Sequence, residues 1–213
     1  MEQDAIHALE ALADEIDAPA VPLPNLPPAP GLATGPLEPE AVGQTLAALM
    51  PEQAIVSDEG ITFGRRFYSI TRSCPPHDWL QNMGSSIGIG MPMATGAALG
   101  APGRRVISLQ ADGAAMYTLQ ALWTQAHERL DVTTIIFANR KYAILLQESA
   151  NVGARFGEAA RALTDLSNPD LDWVKIASGM GVEAASAHNC EQFANLLRYS
   201  FRQNSPFLIE LPV

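Results

Sequence analysis

The chain has 213 residues, enough for one α/β domain with a large buried core or for two small domains. Its 13 Lys and Arg residues against 23 Asp and Glu residues give a net charge of -10, which disfavours nucleic acid and anionic membrane surfaces as partners. The two cysteines, Cys74 and Cys190, form no Cys-x-x-Cys pair, so a disulfide framework, a zinc ribbon and a dithiol redox site are disfavoured. With neither a signal-peptide pattern nor a membrane-length apolar run, we expect a cytoplasmic protein.

The first elements in chain order are a short helix and a proline-rich spacer. Apolar residues recur at helical spacing over 3–16, which predicts one amphipathic helix that is too short to fold without a partner surface. Seven of the 16 prolines follow between Pro19 and Pro36, so the segment cannot be a helix interior or a central strand. We therefore divide the chain into a helical segment at 1–18, a linker at 19–37 and a domain at 38–213.

After the linker, helix and strand patterns alternate, as a parallel α/β sheet requires. Val132–Ala138 is apolar or β-branched throughout and predicts a central strand that is covered on both faces. Trp123 and Trp173 lie at helical spacing and predict core positions. The fold class predicted is a doubly wound, mainly parallel sheet with helices on both faces. Predicted helices are 38–50, 91–99, 114–130, 171–180 and 191–202, and predicted strands are 54–57, 105–110, 132–138 and 207–211.

The strongest candidates for ligand-binding residues lie where two of these strands end. A buried strand leads into Asp112-Gly113-Ala114, and the next strand ends at Asn139. Ligands of open parallel sheets bind outside the carboxyl ends of the strands, where a helix N-terminus favours an anion. Asp112 would repel a bare phosphate, so a cation such as Mg2+ is expected between them, with the Asn139 amide oxygen as a second ligand. The alternative is that Asp112 caps a helix beginning near Ala114 and that Asn139 is a turn residue.

These two segments carry a resemblance to a known family. Gln110-Ala111-Asp112-Gly113-Ala114-Ala115 and Ala138-Asn139-Arg140-Lys141-Tyr142 resemble the signature of thiamine diphosphate enzymes of the acetolactate synthase large subunit and benzoylformate decarboxylase family. In that family Gly-Asp-Gly is followed after a fixed interval by Asn-Asn. The resemblance runs over 38–213 and implies the C-terminal domain, which binds the cofactor diphosphate.

The resemblance also implies roles for individual residues. The side chains of Asp112 and Asn139 and the main-chain oxygen of Lys141 would bind Mg2+. The amides of Gly113 and Ala114 would face the diphosphate. Two positions depart from the family pattern, since Ala111 replaces the first Gly and Ala138 replaces the first Asn. Neither departure removes a metal ligand, although a methyl group at 111 requires an ordinary backbone conformation there.

Two more segments resemble cofactor contacts of the family. In the glycine-rich segment 84–92, Ile87 would wedge between the two cofactor rings and the Ser85 carbonyl would accept a hydrogen bond from the aminopyrimidine. The alternative is a turn that only packs helices. Upstream, the Thr62 hydroxyl would contact the diphosphate, although a Thr at a helix start is often only a cap.

The family comparison also implies that the active site is incomplete in this chain. The Glu that binds the pyrimidine ring comes from the first domain of another subunit, and that domain is absent from these 213 residues. Glu59 is rejected as its replacement because the resemblance places it at the diphosphate end. Residues 1–18 resemble the tail of a middle domain, so the chain is read as either a fragment or a separately encoded subunit.

Three functions remain open at this stage. The first is the cofactor-binding portion of a 2-keto acid decarboxylase or carboligase, inactive until a pyrimidine-binding domain completes a homo- or hetero-oligomer. The second is a subunit of a two-component decarboxylase of the sulfopyruvate or phosphonopyruvate type. The third is a non-catalytic binding module. For the first two, the docking surface is expected to expose an apolar patch of Met83, Ile87, Ile89 and Met91.

Overall fold

The computed structural model describes residues 4–19 and 26–213. Its centre is a six-stranded sheet with the order β2-β1-β3-β4-β6-β5, and every neighbouring pair of strands is parallel. The predicted fold class is confirmed. The strands are β1 (Ile55–Glu59), β2 (Asp78–Gln81), β3 (Val106–Ala111), β4 (Val132–Ala138), β5 (Glu183–Ser186) and β6 (Phe207–Pro212).

Helices cover both faces of this sheet. Helices α2, α4 and α11 pack on one face, and α5, α7 and α10 pack on the other. The helices are α1 (Ala5–Glu15), α2 (Pro39–Leu49), α3 (Ile61–Gly64), α4 (Phe67–Ile70), α5 (Gly90–Gly100), α6 (Asp112–Ala115), α7 (Ala121–His127), α8 (Ala143–Asn151), α9 (Glu158–Thr164), α10 (Trp173–Gly179) and α11 (Cys190–Ser200). A 3-10 turn at Thr71–Ser73 follows α4.

Strand β4 contributes side chains to the hydrophobic cores on both faces of the sheet. All seven of its residues are buried, as its continuous run of apolar and β-branched residues predicts. Ile135 and Phe137 belong to the core beneath α2 and α11, whereas Val132 and Ile136 belong to the cores on the opposite face. Burying each of these large side chains stabilises the fold by about 1.5–3 kcal/mol, so replacing any of the four by a charged residue would be costly.

The strand order creates one crevice at the carboxyl edge. From β1 the chain moves outward to the edge strand β2, whereas from β3 it moves the other way to β4. The connections on either side of the β1–β3 pair therefore diverge, which leaves room for a ligand between them. The segments after β1, β2, β3 and β4 all reach this edge of the sheet.

Several sequence-based expectations differ from the structure. The single helix predicted over 114–130 is divided into α6 and α7 by turns over 116–120. Trp173 is buried, but the prediction for Trp123 was wrong, since its side chain is 55% exposed and its ring stacks 4.9 Å from that of His127. Edge strands β2 and β5 and the short helices α3, α4, α8 and α9 were not predicted.

The N-terminal segment has the helix that its spacing predicts. Helix α1 begins at an Asp4 cap, whose Oδ1 accepts a hydrogen bond from the Ile6 amide at 2.9 Å. Every side chain of α1 is exposed, including Leu9 at 66% and Leu12 at 54%. Of the predicted helix and linker, residues 1–3 and 20–25 lie outside the described residues.

The described end of the linker is bound to the domain. The Gly35 amide donates to the Glu191 carboxylate at 3.1 Å, and the Gly35 carbonyl accepts from the Cys190 amide at 2.9 Å. Both contacts are at the start of α11, so the linker reaches the sheet beside that helix. Within the described ranges, no helix has both the length and the apolar character needed to cross a bilayer.

The two cysteines are unpaired and shielded. Burial raises the pKa of Cys74 to about 11, and its thiol donates to the Ala47 carbonyl at 3.2 Å. Cys190 is buried at the start of α11, and burial also raises its pKa. Because the thiolate is the reactive form of cysteine, burial lowers the reactivity of both residues near neutral pH.

Candidate functional site

A small cavity of about 20 Å3 lies between the carboxyl ends of β3 and β4 and the start of α3. A space of this size holds one water molecule or ion. All six residues predicted to contact the metal or the diphosphate line it. Its lining residues are Ile61, Thr62, Ala111, Asp112, Gly113, Ala114, Asn139, Lys141, Tyr142, Ala143 and Ile144.

Asp112 is the only carboxylate among these lining residues, and its side chain is 1% exposed. One oxygen accepts a hydrogen bond from the Gly113 amide at 2.8 Å, and the other accepts from the Arg140 amide at 2.6 Å. Burial raises the pKa of Asp112, and the hydrogen bonds from Arg140 and Gly113 offset only part of that rise. A cation beside Asp112 would relieve the cost of burying its charge, and each carboxylate oxygen keeps a lone pair to bind it.

Asn139 and Lys141 supply the other predicted oxygen donors. The Asn139 side-chain oxygen accepts from the Lys141 amide at 3.0 Å, and the Lys141 carbonyl accepts from the Ala143 amide at 2.9 Å. No group of three or more His, Cys, Asp or Glu residues forms a metal site in the part of the chain that the structure describes. One carboxylate, one amide and one carbonyl nevertheless form an all-oxygen donor set, which fits a hard cation that completes its shell with phosphate oxygens and water.

The backbone at Gly113 is closely covered by Tyr142. A Cβ atom at Gly113 would lie 2.6 Å from Tyr142 Cε1, so the close approach of this ring requires glycine. The ring covers the backbone whose amide is predicted to face a diphosphate, and that amide is bonded to Asp112. For the Gly113 amide to donate to a diphosphate, it must therefore give up or share its bond to Asp112. Ala111 has φ -72° and ψ 142°, an ordinary extended conformation that accommodates its methyl group.

The glycine-rich turn forms a separate part of the edge, between β2 and α5. Ser85 lies at its tip with φ +56°, and the Ser85 carbonyl accepts from the Ile87 amide at 3.0 Å. That carbonyl keeps one lone pair for a further donor. Neither Ser85 nor Ile87 lines the cavity beside Asp112, so the structure divides the predicted site residues between two places.

The apolar patch predicted on this turn is only partly present. Met83 is 78% exposed and Ile87 is 47% exposed. Met91, in contrast, is fully buried in the core beneath α5, and Ile89 is half-buried. The prediction was wrong for Met91 because α5 begins at Gly90 and turns that side chain towards the sheet.

Glu59 occupies a different place from the one that the sequence suggested. Its side chain is 2% exposed and accepts hydrogen bonds from the Gly88 amide at 2.7 Å and the Gly90 amide at 2.8 Å. Glu59 therefore contacts the glycine-rich turn and not the diphosphate end. No local sequence signal connects a Glu at the end of β1 with glycines about thirty positions later, so sequence reasoning missed this contact.

Comparison with protein families supports the predicted resemblance. The sequence model of one protein family matches residues 62–211. That family is described as thiamine pyrophosphate enzyme, C-terminal TPP binding domain. The chain is 47% identical over 212 residues to a Mycobacterium tuberculosis protein provisionally named an acetolactate synthase large subunit, covering 98% of this chain and 41% of that protein. It is 34% identical over 215 residues to a benzoylformate decarboxylase of Pseudomonas aeruginosa, covering 98% of this chain and 39% of that enzyme.

A solved structure gives the same result. The thiamine diphosphate-dependent 4-hydroxybenzoylformate decarboxylase of Rhodococcus jostii RHA1 superposes with a TM-score of 0.84 at 28% sequence identity. The match covers 97% of this chain and 39% of the decarboxylase. The chain thus spans about two fifths of the length of these relatives.

Proposed function

Because this chain belongs to the thiamine pyrophosphate enzymes, as their C-terminal TPP-binding domain, we propose that it is the cofactor-binding portion of an acetolactate synthase-like 2-keto acid decarboxylase or carboligase. The observation that carries the proposal is that Asp112, Asn139 and Lys141, the residues predicted to supply oxygen ligands, line one cavity at the carboxyl edge. The resemblance to acetolactate synthases and benzoylformate decarboxylases supports the substrate class.

The residues of this chain bind and orient the cofactor in this proposal. Asp112, Asn139 and the Lys141 carbonyl hold Mg2+, which neutralises diphosphate charge that an acidic protein cannot otherwise balance. The amides of Gly113 and Ala114 donate to the diphosphate. When bound, thiamine diphosphate supplies a nucleophilic thiazolium carbon and an electron sink for the decarboxylation of a 2-keto acid.

In the same proposal, Ser85 and Ile87 contact the pyrimidine half of the cofactor, and Thr62 contacts the diphosphate. The Ser85 carbonyl would accept a hydrogen bond from the aminopyrimidine amine of the cofactor, and the Ile87 side chain would pack between its two rings and orient them. The Thr62 hydroxyl donates to the diphosphate from the side of β1. Holding these groups in place before the reaction lowers the entropy that the chemical step must lose.

A partner completes the site in this proposal. A pyrimidine-binding domain, on a longer form of this chain or on another subunit, supplies the catalytic Glu, so the working enzyme is a homo- or hetero-oligomer. Support comes from the length of the relatives, of which this chain covers about two fifths. The domain limits at 1–18, 19–37 and 38–213 belong to the same proposal, as does a cytoplasmic location, which two unpaired cysteines favour.

Calorimetry and proton exchange test the proposal together. Thiamine diphosphate should bind the purified chain only when Mg2+ is present. The chain alone should not exchange the thiazolium C2 proton, followed by NMR, faster than the free cofactor does, and a pyrimidine-binding partner should accelerate that exchange. Equal cofactor affinity in EDTA would contradict the metal site, and enzyme-like exchange by the chain alone would show that the catalytic acid lies within these residues.

A further inference from the structure

The glycine-rich turn is held by side chains from distant parts of the chain. Glu59, at the end of β1, receives hydrogen bonds from the Gly88 amide at 2.7 Å, from the Gly90 amide at 2.8 Å and from the Asn82 side-chain amide at 3.3 Å. The Glu59 side chain is 2% exposed, so these bonds to its carboxylate are shielded from water and stronger than neutral ones.

Two hydroxyl groups hold the carbonyls of the same glycines. Ser57, two residues before Glu59 on β1, donates from Oγ to the Gly90 carbonyl at 2.8 Å. Thr118, in the turns between α6 and α7, donates from Oγ1 to the Gly88 carbonyl at 2.6 Å. Both peptide polar groups of Gly88 and of Gly90 are thus bound by side chains outside the turn.

Steric fit fixes the same two glycines. A Cβ atom at Gly88 would lie 2.6 Å from the Tyr117 Cβ, and Gly88 has φ +91°, which favours glycine. A Cβ atom at Gly90 would lie 2.7 Å from Glu59 Oε2 and would overlap Gln110 Nε2. The base of the turn therefore has one well-defined position, whereas residues 83–87 at its tip are all exposed.

We infer that Glu59 is a positioning residue, which anchors the base of the glycine-rich turn so that the Ser85 carbonyl and the Ile87 side chain project at fixed points above the carboxyl edge. It acts through Gly88 and Gly90 and does not touch the cofactor. The relevance of this anchor to the cofactor rests on the proposed function. A preorganised turn stabilises the bound pyrimidine because binding need not order it.

Glu59→Gln provides the test, since the variant keeps the size of the side chain and replaces one acceptor oxygen by a donor. That NH2 group would face the Gly88 or the Gly90 amide, so we expect these two amides to exchange hydrogen about tenfold faster or more by NMR. Amides of β4 should keep their protection. The matched control is Asp58→Asn on the same strand, because Asp58 accepts from the Gly60 amide and the Trp79 indole and contacts neither glycine.

A second measurement separates positioning from general stability. With Mg2+ present, calorimetry compares thiamine diphosphate with inorganic diphosphate as ligands of the chain and of Glu59→Gln. The affinity for thiamine diphosphate should fall about tenfold, whereas the affinity for inorganic diphosphate should not change, because only the first ligand has a pyrimidine for the turn to contact. An equal loss for both ligands, uniformly faster exchange throughout the sheet, or unchanged exchange at Gly88 and Gly90 would each overturn the inference.

The outcomes remain distinguishable if one component fails. If the parent chain binds neither ligand, the proposed function fails, while amide exchange still decides whether Glu59 anchors the turn. If Glu59→Gln does not fold, Thr118→Ala provides the alternative test. This variant removes the hydrogen bond from Thr118 to the Gly88 carbonyl and should accelerate hydrogen exchange at the Gly88 amide by a smaller factor. Unchanged exchange at Gly88 in folded Thr118→Ala would then count against the inference.

Discussion

The neighbouring strands β1 and β3 each end near a buried carboxylate, and the two carboxylates have different surroundings. Glu59 and Asp112 are 2% and 1% exposed, and both oxygens of each accept backbone hydrogen bonds. Glu59 is enclosed by the turn that it holds and has a third donor in Asn82. Asp112 borders a cavity together with two other oxygen donors. The two carboxylates are equally buried, and what distinguishes them is the cavity that Asp112 lines and Glu59 does not.

Removing the charge of Asp112 should have the largest effect. Asp112→Asn keeps the size of the side chain but takes away the carboxylate, so we expect Mg2+-dependent affinity for thiamine diphosphate to fall roughly 100-fold or more. Calorimetry on the folded variant measures the loss. Asp78→Asn, which removes an exposed charge at the start of β2, is the control and should bind as the parent does. Unchanged affinity in Asp112→Asn would show that Asp112, like Glu59, does not bind the metal.

Ile87, at the tip of the glycine-rich turn that Glu59 anchors, should affect turnover more than cofactor affinity. If a partner completes the enzyme as proposed, Ile87→Ala should lower its turnover about tenfold or more. Cofactor affinity should change less than about threefold, because the proposal places the diphosphate near Asp112 and away from Ile87. Steady-state kinetics and calorimetry give the two numbers. Leu99→Ala, on α5 and 52% exposed, should change neither. Equal losses in turnover and affinity would mean that Ile87 only stabilises the domain.

The pKa of Asp112 should respond to a cation that binds in the cavity beside it. Burial raises its pKa above the ordinary 3.8, so the folded chain binds this proton more tightly than the unfolded chain does. The free energy of unfolding therefore decreases as the pH rises through the range above 3.8 in which Asp112 ionises. Bound Mg2+ favours the ionised form and should lower the pKa again.

Carboxyl 13C NMR follows this titration directly. The midpoint of Asp112 should lie above 3.8 in the free chain and should fall when Mg2+ and thiamine diphosphate are added. A midpoint that the metal and cofactor leave in place would show that the cation binds elsewhere. The same addition should not move the carboxyl resonance of Asp131, which pairs with Arg105 at the opposite edge of the sheet.

The smallest effect is expected at Ala111, the last residue of β3. Its extended backbone suits any residue, so Ala111→Gly should lower the free energy of unfolding by about 0.5–1 kcal/mol through the entropy of the unfolded chain. Cofactor affinity should stay within about twofold, since no side-chain polar group is lost. Denaturant unfolding and calorimetry measure the two quantities. A large gain in affinity would mean that the methyl group obstructs the site.

Patterns that depend on burial were the ones that the sequence predicted well. Val132–Ala138 matches β4 residue for residue because a strand covered on both faces favours an unbroken run of apolar and β-branched residues. Edge strand β2 has the sequence Asp-Trp-Leu-Gln with no fully buried residue, so it lacks that signal. Helix α8 likewise has no buried residue. The strand ends near Asp112 and Asn139 followed from parallel topology, which brings carboxyl ends to one edge.

Long-range contacts explain what the sequence could not predict. The helix expected over 114–130 is interrupted where Thr118 bonds to the Gly88 carbonyl and Tyr117 packs over Gly88. Helical spacing contains no information about a partner thirty positions away. The bonds from Gly88 and Gly90 to Glu59 join equally distant segments, so the anchor of the turn became visible only in the fold.

The low reactivity of the two cysteines allows a spectroscopic probe to be placed selectively on the glycine-rich turn. With the pKa of Cys74 at about 11 and Cys190 buried, a maleimide reagent at neutral pH meets almost no thiolate on this chain. Met83→Cys, at a tip position that is 78% exposed, would therefore introduce one selectively reactive thiol. A fluorophore or spin label attached there would report the nanosecond motion of the tip directly, in the free chain and as each ligand binds.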